Sequence, residues 1–230
     1  MKLLFENWRN YKNSLLTEGM KTVADIPDGT KVRIWKLIDA NEGRIYQIKL
    51  VNETHDEEVH GIEFPQWLNQ GGDRKNKDRS YGPEGDINLI ELKKCTGGGI
   101  FEIHSDADKG WGPFLYDLAI EWATSIGKGA MSARLAGTKS SPAAVAVWDY
   151  YLSNRNDVKH VQMDNPDNFL TPDPDDNCLQ PDNLESYISD GKLDNEGFKE
   201  SPLTKVYSKE PTTLEALSSK GILIKGEGWP

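Results

Sequence analysis

The sequence is poor in cysteine: among its 230 residues only Cys95 and Cys178 occur, far apart in the chain. That spacing gives neither a disulfide framework nor a metal-ligand pattern, and it indicates free thiols in a reducing cytoplasm. No apolar run approaches the roughly 20 residues that span a bilayer. Glu6, Asn7 and Arg9 also interrupt the apolar start that a secretory signal requires.

Basic residues are outnumbered as well, with 27 Lys and Arg against 37 Asp and Glu. The excess is concentrated between Asp164 and Glu200, where 8 Asp and 3 Glu face 2 Lys, so the rest of the chain is nearly neutral. Binding to nucleic acid phosphates needs clustered Lys and Arg, which argues against a nucleic-acid partner. The same stretch is rich in Pro and Asn and predicts an irregular acidic segment.

The first half of the chain alternates between polar and apolar residues after a helical start. One apolar stripe at helical spacing predicts an amphipathic helix over residues 1–18. Residues 31–37 and 44–50 alternate as strands do, which predicts a hairpin, and residues 58–64 would add a third strand. Residues 69–86 read as an exposed loop, and residues 87–94 return to strand.

The 53 residues from Gly99 to Tyr151 have the order strand, glycine loop, helix, strand, loop, helix. A helix that starts after a glycine loop presents backbone N–H groups and a positive dipole end, which favours an anion site. Residues 158–163 then predict a further strand. Near the C-terminus, Thr212 or Thr213 would cap a short helix through Leu217, and residues 222–224 would form an edge strand.

A calcium site is a weaker alternative for the acidic segment. Asp173, Asp175 and Asp176 cluster there, but the twelve-residue calcium loop with its closing Glu is missing. No metal site is therefore predicted.

Residues 97–154 resemble the cofactor-binding core of the general N-acetyltransferase (GNAT) superfamily, and in detail they resemble GNAT-like proteins of marine tailed bacteriophages. The family loop reads Gln/Arg-x-x-Gly-x-Gly/Ala. The run ADKGWG at 107–112 keeps both glycines and has Ala107 in place of the first polar residue. The second family signature, roughly Asn-x-x-Ala-x-x-x-Tyr, falls on Ser141, Ala144 and Trp148.

The resemblance implies an α/β (α+β) fold with a mixed, mostly antiparallel sheet flanked by helices, and acetyl-CoA as cosubstrate. The residues expected to bind its pyrophosphate are Lys109, Gly110, Trp111, Gly112 and Pro113. The two glycines remove side chains where phosphate must touch backbone amides, and proline suits a first helical position because no N–H is needed there. The lysine would add a point charge.

Two pairs of residues are candidates for catalysis. Glu102 and His104 share one face of their strand by alternation and would deprotonate the acceptor amine, although they also read as ordinary polar positions at a sheet surface. Trp148 cannot protonate a departing thiolate as the family tyrosine does, so the hydroxyls of Tyr150 and Tyr151 are the candidates for that role. Trp111, Trp122 and Trp148 are expected in the core or a pocket wall.

The opening LFENWRNY, followed by Leu16-Thr17-Glu18, resembles the capsid-targeting peptides of tailed phages, in which a protease cuts after Glu. The predicted divisions are a leader at 1–18, a GNAT-like domain at 19–163, the acidic segment at 164–200 and a C-terminal helix and strand at 201–230. The expected function is transfer of an acetyl group to an unknown amine in the bacterial host cytoplasm. The alternative is an inactive protein packaged in the virion, where residues 1–18 would contact capsid or prohead protease.

Overall fold

The computed structural model describes residues 20–40, 43–52, 85–92, 98–108, 110–133, 142–163 and 200–226. These residues form an α+β fold in which helices pack on a mixed sheet. The strands are β1 (Thr30–Ala40), β2 (Gly43–Asn52), β3 (Gly85–Glu91), β4 (Ile100–Ala107), β5 (Gly129–Ser132), β6 (Val158–Gln162), β7 (Lys205–Lys209) and β8 (Leu223–Lys225). The helices are α1 (Trp111–Ile126), α2 (Pro142–Asn154) and α3 (Thr212–Ser219), with 3-10 turns at Val23–Asp25 and Pro202–Thr204.

The sheet has the strand order β6-β7-β5-β4-β3-β2-β1-β8. Strands β1 to β4 form an antiparallel meander, whereas β4 and β5 run parallel because α1 crosses between them. Strand β7 pairs antiparallel with β5 and β6, and β8 pairs parallel with β1 at the edge. None of the helices in the described residues is long and apolar enough to cross a membrane.

The main core lies between the sheet and its helices. Alternation along β1 to β4 sends every second residue into it, including Ile34, Ile48, Leu89 and Phe101, each fully buried. Helix α1 buries residues around most of its circumference, because sheet strands and α3 both contact it. A smaller cluster of Ile100, Met131, Met163 and Val206 lies apart from this core and includes strand positions of the opposite parity.

The predicted hairpin is confirmed as β1 and β2, and the predicted edge strand as β8. Several boundaries differ from prediction. Strand β4 continues to Ala107 because β3 pairs with it along that length, and β3 begins at Gly85, inside the predicted loop. Helix α1 begins at Trp111, so Pro113 is its third residue, still in the turn where no N–H partner is needed.

Other predicted features lie outside the described residues: the leader helix over 1–18, the strand over 58–64, most of the loop over 69–86, and the acidic segment up to residue 199. Within the described residues, the C-terminal segment contributes more than an edge. Strand β7 lies inside the sheet, between β5 and β6. Strands β7 and β8 thus belong to the same sheet as β1 to β5.

Helix α3 is capped by a residue from another helix, and the predicted threonine cap is wrong. Its N-cap is Pro211, which makes no side-chain cap hydrogen bond. The carboxylate of Glu121, fully buried on α1, instead accepts hydrogen bonds from the backbone N–H of Thr213 at 2.9 Å and of Leu214 at 2.7 Å. Buried Lys209 of β7 donates to the same carboxylate. One side chain of α1 thus holds both β7 and α3.

Glu121→Ala removes the counterion of a buried lysine and two caps at once. We expect it to lower the free energy of unfolding by about 3–5 kcal/mol, since breaking a buried pair from one side leaves an uncompensated charge. Urea unfolding monitored by circular dichroism measures this. Glu215→Ala, on the exposed side of α3, is the control and should cost no more than about 1 kcal/mol. Equal losses in the two variants would contradict the assigned role.

A second carboxylate ties β3 to its neighbours. Glu91, with 8% of its side chain exposed, accepts hydrogen bonds from the guanidinium of Arg44 at 2.8 and 2.9 Å and from the N–H of Gly99 at 3.0 Å. Arg44 also donates to the carbonyl of Ile126 at the end of α1, at 3.3 Å. The Arg44 hydrogen bonds lower the pKa of Glu91 to about 2.

A lowered pKa in the folded state means that this stabilisation is complete above the ordinary Glu pKa and is lost as the pH falls towards 2. We expect Glu91→Gln to cost about 3 kcal/mol at neutral pH and progressively less below pH 4.5. Urea unfolding across this pH range checks the convergence of variant and wild type. A difference that stays constant across this pH range would refute the linkage.

Candidate functional site

The ladder that the structure describes between the parallel strands β4 and β5 is short. They pair from Ile100 with Gly129 to Ile103 with Ser132. Beyond that point β4 runs on through Ala107, and among the described residues it pairs there only with β3. We call the end of this ladder, at Ile103 and Ser132, the fork. His104 is the first β4 residue past it. Ligands of α/β sheets bind outside the carboxyl ends of such parallel strands, where neighbouring connections diverge.

The start of α1 follows directly from the end of β4. Gly110 is the N-cap, with φ 88° and ψ −19°, a left-handed conformation that favours glycine. The N–H of Trp111 donates to the carbonyl of Asp108 at 3.0 Å, which closes the turn. As a glycine, this N-cap residue supplies no side-chain cap, and the first turn of α1 contains no acidic residue. The backbone amides and the dipole at such a helix start favour an anion.

Gly112 leaves space in front of this helix start. A Cβ atom added there would meet nothing within 4 Å, and its backbone is not left-handed. Neither conformation nor packing within the described residues therefore requires glycine at this position. The backbone of Lys21 lies against the same turn, because its N–H donates to the carbonyl of Gly110 at 3.1 Å. Lys109, predicted to contact phosphate, lies outside the described residues.

Glu102 and His104 form a hydrogen-bonded pair on the sheet face opposite Phe101 and Ile103. Their Oε1 and Nε2 atoms are 2.7 Å apart, Glu102 is fully buried, and the His104 side chain is 16% exposed. An ionised carboxylate only accepts hydrogen bonds, so with Glu102 ionised and the imidazole neutral the proton lies on Nε2 and the lone pair on Nδ1. The prediction that these residues share a face agrees with this contact.

Tyr151 lies deep in the main core, where its single hydroxyl proton is shared in a three-centre hydrogen bond between the Asp117 carboxylate at 2.6 Å and the Pro113 carbonyl at 3.0 Å. Burial, and then the neighbouring Asp117, raises its pKa well above the usual value. Arg155 pairs with Asp117 at 3.0 Å and places its guanidinium over the Tyr151 ring. These contacts join α2 to the first turn of α1. Tyr150, its half-buried neighbour, lies edge-on to Tyr151.

The three tryptophans are core residues, as expected. Trp111, Trp122 and Trp148 are 5%, 3% and 1% exposed and belong to the main cluster. Trp148 stacks on Tyr207 of β7 with ring centroids 4.8 Å apart. Trp148 thus packs α2 against β7.

Sequence reasoning missed two polar residues near these groups. Asn88 lies directly across the strand ladder from His104, and its alternation with Ile87 and Leu89 could have indicated its face. Asp117 belongs to no sequence motif that could have indicated it. Burial raises the pKa of its carboxyl group, and the charge of Arg155 opposes that shift. In the part of the chain that the structure describes, no group of three or more His, Cys, Asp or Glu side chains could hold a metal ion.

Comparison with known protein families, with curated proteins and with solved structures finds no match to this chain.

The two loop glycines should respond to alanine in opposite ways. Gly110→Ala forces a side chain into the left-handed region and should lower the free energy of unfolding by about 1–2 kcal/mol. Gly112→Ala fits open space and restricts the unfolded chain, so it should raise that free energy by about 0.4–1 kcal/mol. Urea unfolding of both variants provides the comparison. A loss at Gly112 as large as that at Gly110 would show that the fold requires both glycines.

Proposed function

We propose that this protein is a GNAT-like N-acyltransferase that transfers an acetyl group from acetyl-CoA to an amine. The observation that carries the proposal is the order of features along β4. A Glu–His pair lies on β4 where its ladder with β5 ends, and a helix start with a left-handed glycine N-cap follows the end of the strand. The same order of strand, glycine loop, helix, strand and helix underlies the resemblance to the family.

The residues at the helix start fit a pyrophosphate. Gly110 turns the chain into α1, whose N–H groups at Gly112 and Phe114 would contact the phosphate, and the open space at Gly112 is a cradle that a side chain would fill. Lys21, anchored to this turn by its backbone, and Lys109 would supply positive charge. Acetyl-CoA, when bound, supplies an acyl group activated as a thioester. The task of the protein is to hold the acceptor beside it, and proximity accounts for much of the acceleration in such a reaction.

His104 is the proposed general base. Its Nδ1 lone pair would take a proton from the acceptor's ammonium group, and buried Glu102 would orient the ring and stabilise its charged form. In this arrangement the imidazole of His104 would contact the substrate. The carboxylate of Glu102 would act only through its hydrogen bond to His104. The side-chain exposures of 16% for His104 and 1% for Glu102 support that order.

Tyr150 is the better candidate of the two hydroxyls for protonating the leaving thiolate. The hydroxyl of Tyr151 already makes two hydrogen bonds inside the core, and breaking them in a buried site costs about 1–3 kcal/mol for each group left unpaired. Tyr150 is half-buried, and its hydroxyl takes no part in these hydrogen bonds to Asp117 and Pro113.

The second candidate function is a virion-packaged protein that keeps the loop without transferring an acyl group. The observation that favours it is the core position of Trp148 together with the engaged hydroxyl of Tyr151. Residues 1–18 would deliver such a protein to the capsid. The two candidates differ in turnover, which makes them separable in one set of assays.

The test is binding of acetyl-CoA to the full chain, measured by thermal shift and by calorimetry. We expect wild type to be stabilised, since a ligand bound only to the native state raises the melting temperature. Gly112→Glu should keep the unliganded melting temperature, because the site is open and an acid suits a helix start, but should lose the response through steric block and charge repulsion.

Ala143→Glu is the matched control, since residue 143 is the exposed second residue of α2 as Gly112 is the second of α1. It should respond to acetyl-CoA like wild type. No response of wild type to millimolar acetyl-CoA would overturn the proposal. Binding without acetylation of any amine offered would favour the packaged, inactive protein.

A further inference from the structure

Asn88 is a buried polar residue whose side-chain oxygen has no hydrogen-bond partner among the described residues. It is only 5% exposed and lies on β3 between Ile87 and Leu89, which both enter the main core. Alternation therefore directs Asn88 to the other face of the sheet, away from the helices. A buried carbonyl oxygen without a donor lowers the stability of the folded state, so this position is unfavourable for folding alone.

His104 is the direct cross-strand neighbour of Asn88. The two residues are Cα partners in the antiparallel ladder of β3 and β4, which places both side chains on one face with Cβ atoms about 4.5–5.5 Å apart. Glu102 lies on the same face two residues earlier and binds His104 through Nε2. The amide oxygen of Asn88 and the Nδ1 lone pair of His104 are therefore two hydrogen-bond acceptors on one face, at the fork of β4 and β5.

We propose that Asn88 positions the acceptor's amino group by accepting a hydrogen bond from it, beside His104. This inference rests on the proposed function, because it names the acceptor site of the same reaction. It assigns an amine with at least two N–H donors in its ammonium form as the acceptor class. Asn88 is a positioning residue here, and it supplies no proton.

The chemistry of the pair selects an amine over an alcohol. A primary or secondary ammonium carries at least two N–H donors, which is enough to serve Asn88 and His104 together, whereas a hydroxyl carries one donor. The buried carboxylate of Glu102 disfavours an anionic ligand at this place and favours a cation. A quaternary ammonium has the charge but no N–H, so it separates hydrogen bonding from simple electrostatic attraction.

The test uses n-butylamine as probe and follows the imidazole resonances of His104 by NMR in the full chain, without acetyl-CoA. We expect saturable shifts with n-butylamine at neutral pH and none with butyltrimethylammonium at the same concentration. Asn88→Leu keeps the volume and removes the acceptor, so it should weaken n-butylamine binding by about tenfold. Its urea unfolding midpoint should equal or exceed that of wild type, because an unsatisfied buried acceptor has been removed.

Asn88→Asp retains an acceptor oxygen and should bind n-butylamine at least as tightly as wild type, which provides the conservative rescue. Asn156→Leu makes the same change as Asn88→Leu in an exposed turn and should leave binding unchanged. The inference is overturned if wild type shows no response to n-butylamine. It is also overturned if butyltrimethylammonium binds equally, or if Asn88→Leu lowers the unfolding midpoint while binding the probe normally.

The acetyl-CoA thermal shift is measured on the same Asn88→Leu protein, where we expect it to match wild type. Loss of the amine response with an intact acetyl-CoA response supports the inference. An intact acetyl-CoA response with an unchanged amine response refutes the role of Asn88 alone. Absence of any acetyl-CoA response in wild type refutes the proposed function instead.

Discussion

The buried contact between Glu121 and Lys209 is the interaction on which the two halves of the structure depend. Taking both charges out of water is unfavourable unless each is fully paired, and here the carboxylate also accepts from two amides at the start of α3. A central helix with such a residue on its buried side needs the C-terminal segment to complete it. The position of β7 inside the sheet follows from that requirement, and the stacking of Trp148 on Tyr207 reinforces it.

The candidate site uses the other end of the same helix. The side chains of its first turn are buried like those farther along α1, and the turn follows the end of β4. Strand β4 continues past its ladder with β5 and pairs there with β3. The amides of a helix start suit an anion, and the Glu102–His104 pair lies on the sheet face away from the helices. The proposed reaction would use both kinds of surface.

Local patterns in the sequence predicted much of this arrangement, and long-range contacts account for what they missed. Alternation identified the β1–β2 hairpin and the shared face of Glu102 and His104, and the glycines marked the start of α1. The sequence did not predict β7, because its lysines look exposed, although Glu121, far away in the sequence, pairs with Lys209. It did not predict the cap of α3 either, because Glu121 is also distant in sequence from that helix. The engagement of the Tyr151 hydroxyl by Asp117 likewise depends on helix packing, which no local pattern encodes.

The seam between β5 and β7 has a consequence for synthesis of the chain. Gly129 allows the strands to approach so closely that a Cβ atom there would lie 2.3 Å from the carbonyl oxygen of Tyr207. On the ribosome, β5 and α1 emerge long before residues 205–209. Until then the nascent chain presents an unpaired strand edge and a carboxylate without its counterion, both of which promote association with the wrong partner. Correct folding of the nascent chain therefore depends on how soon β7 follows β5 and α1.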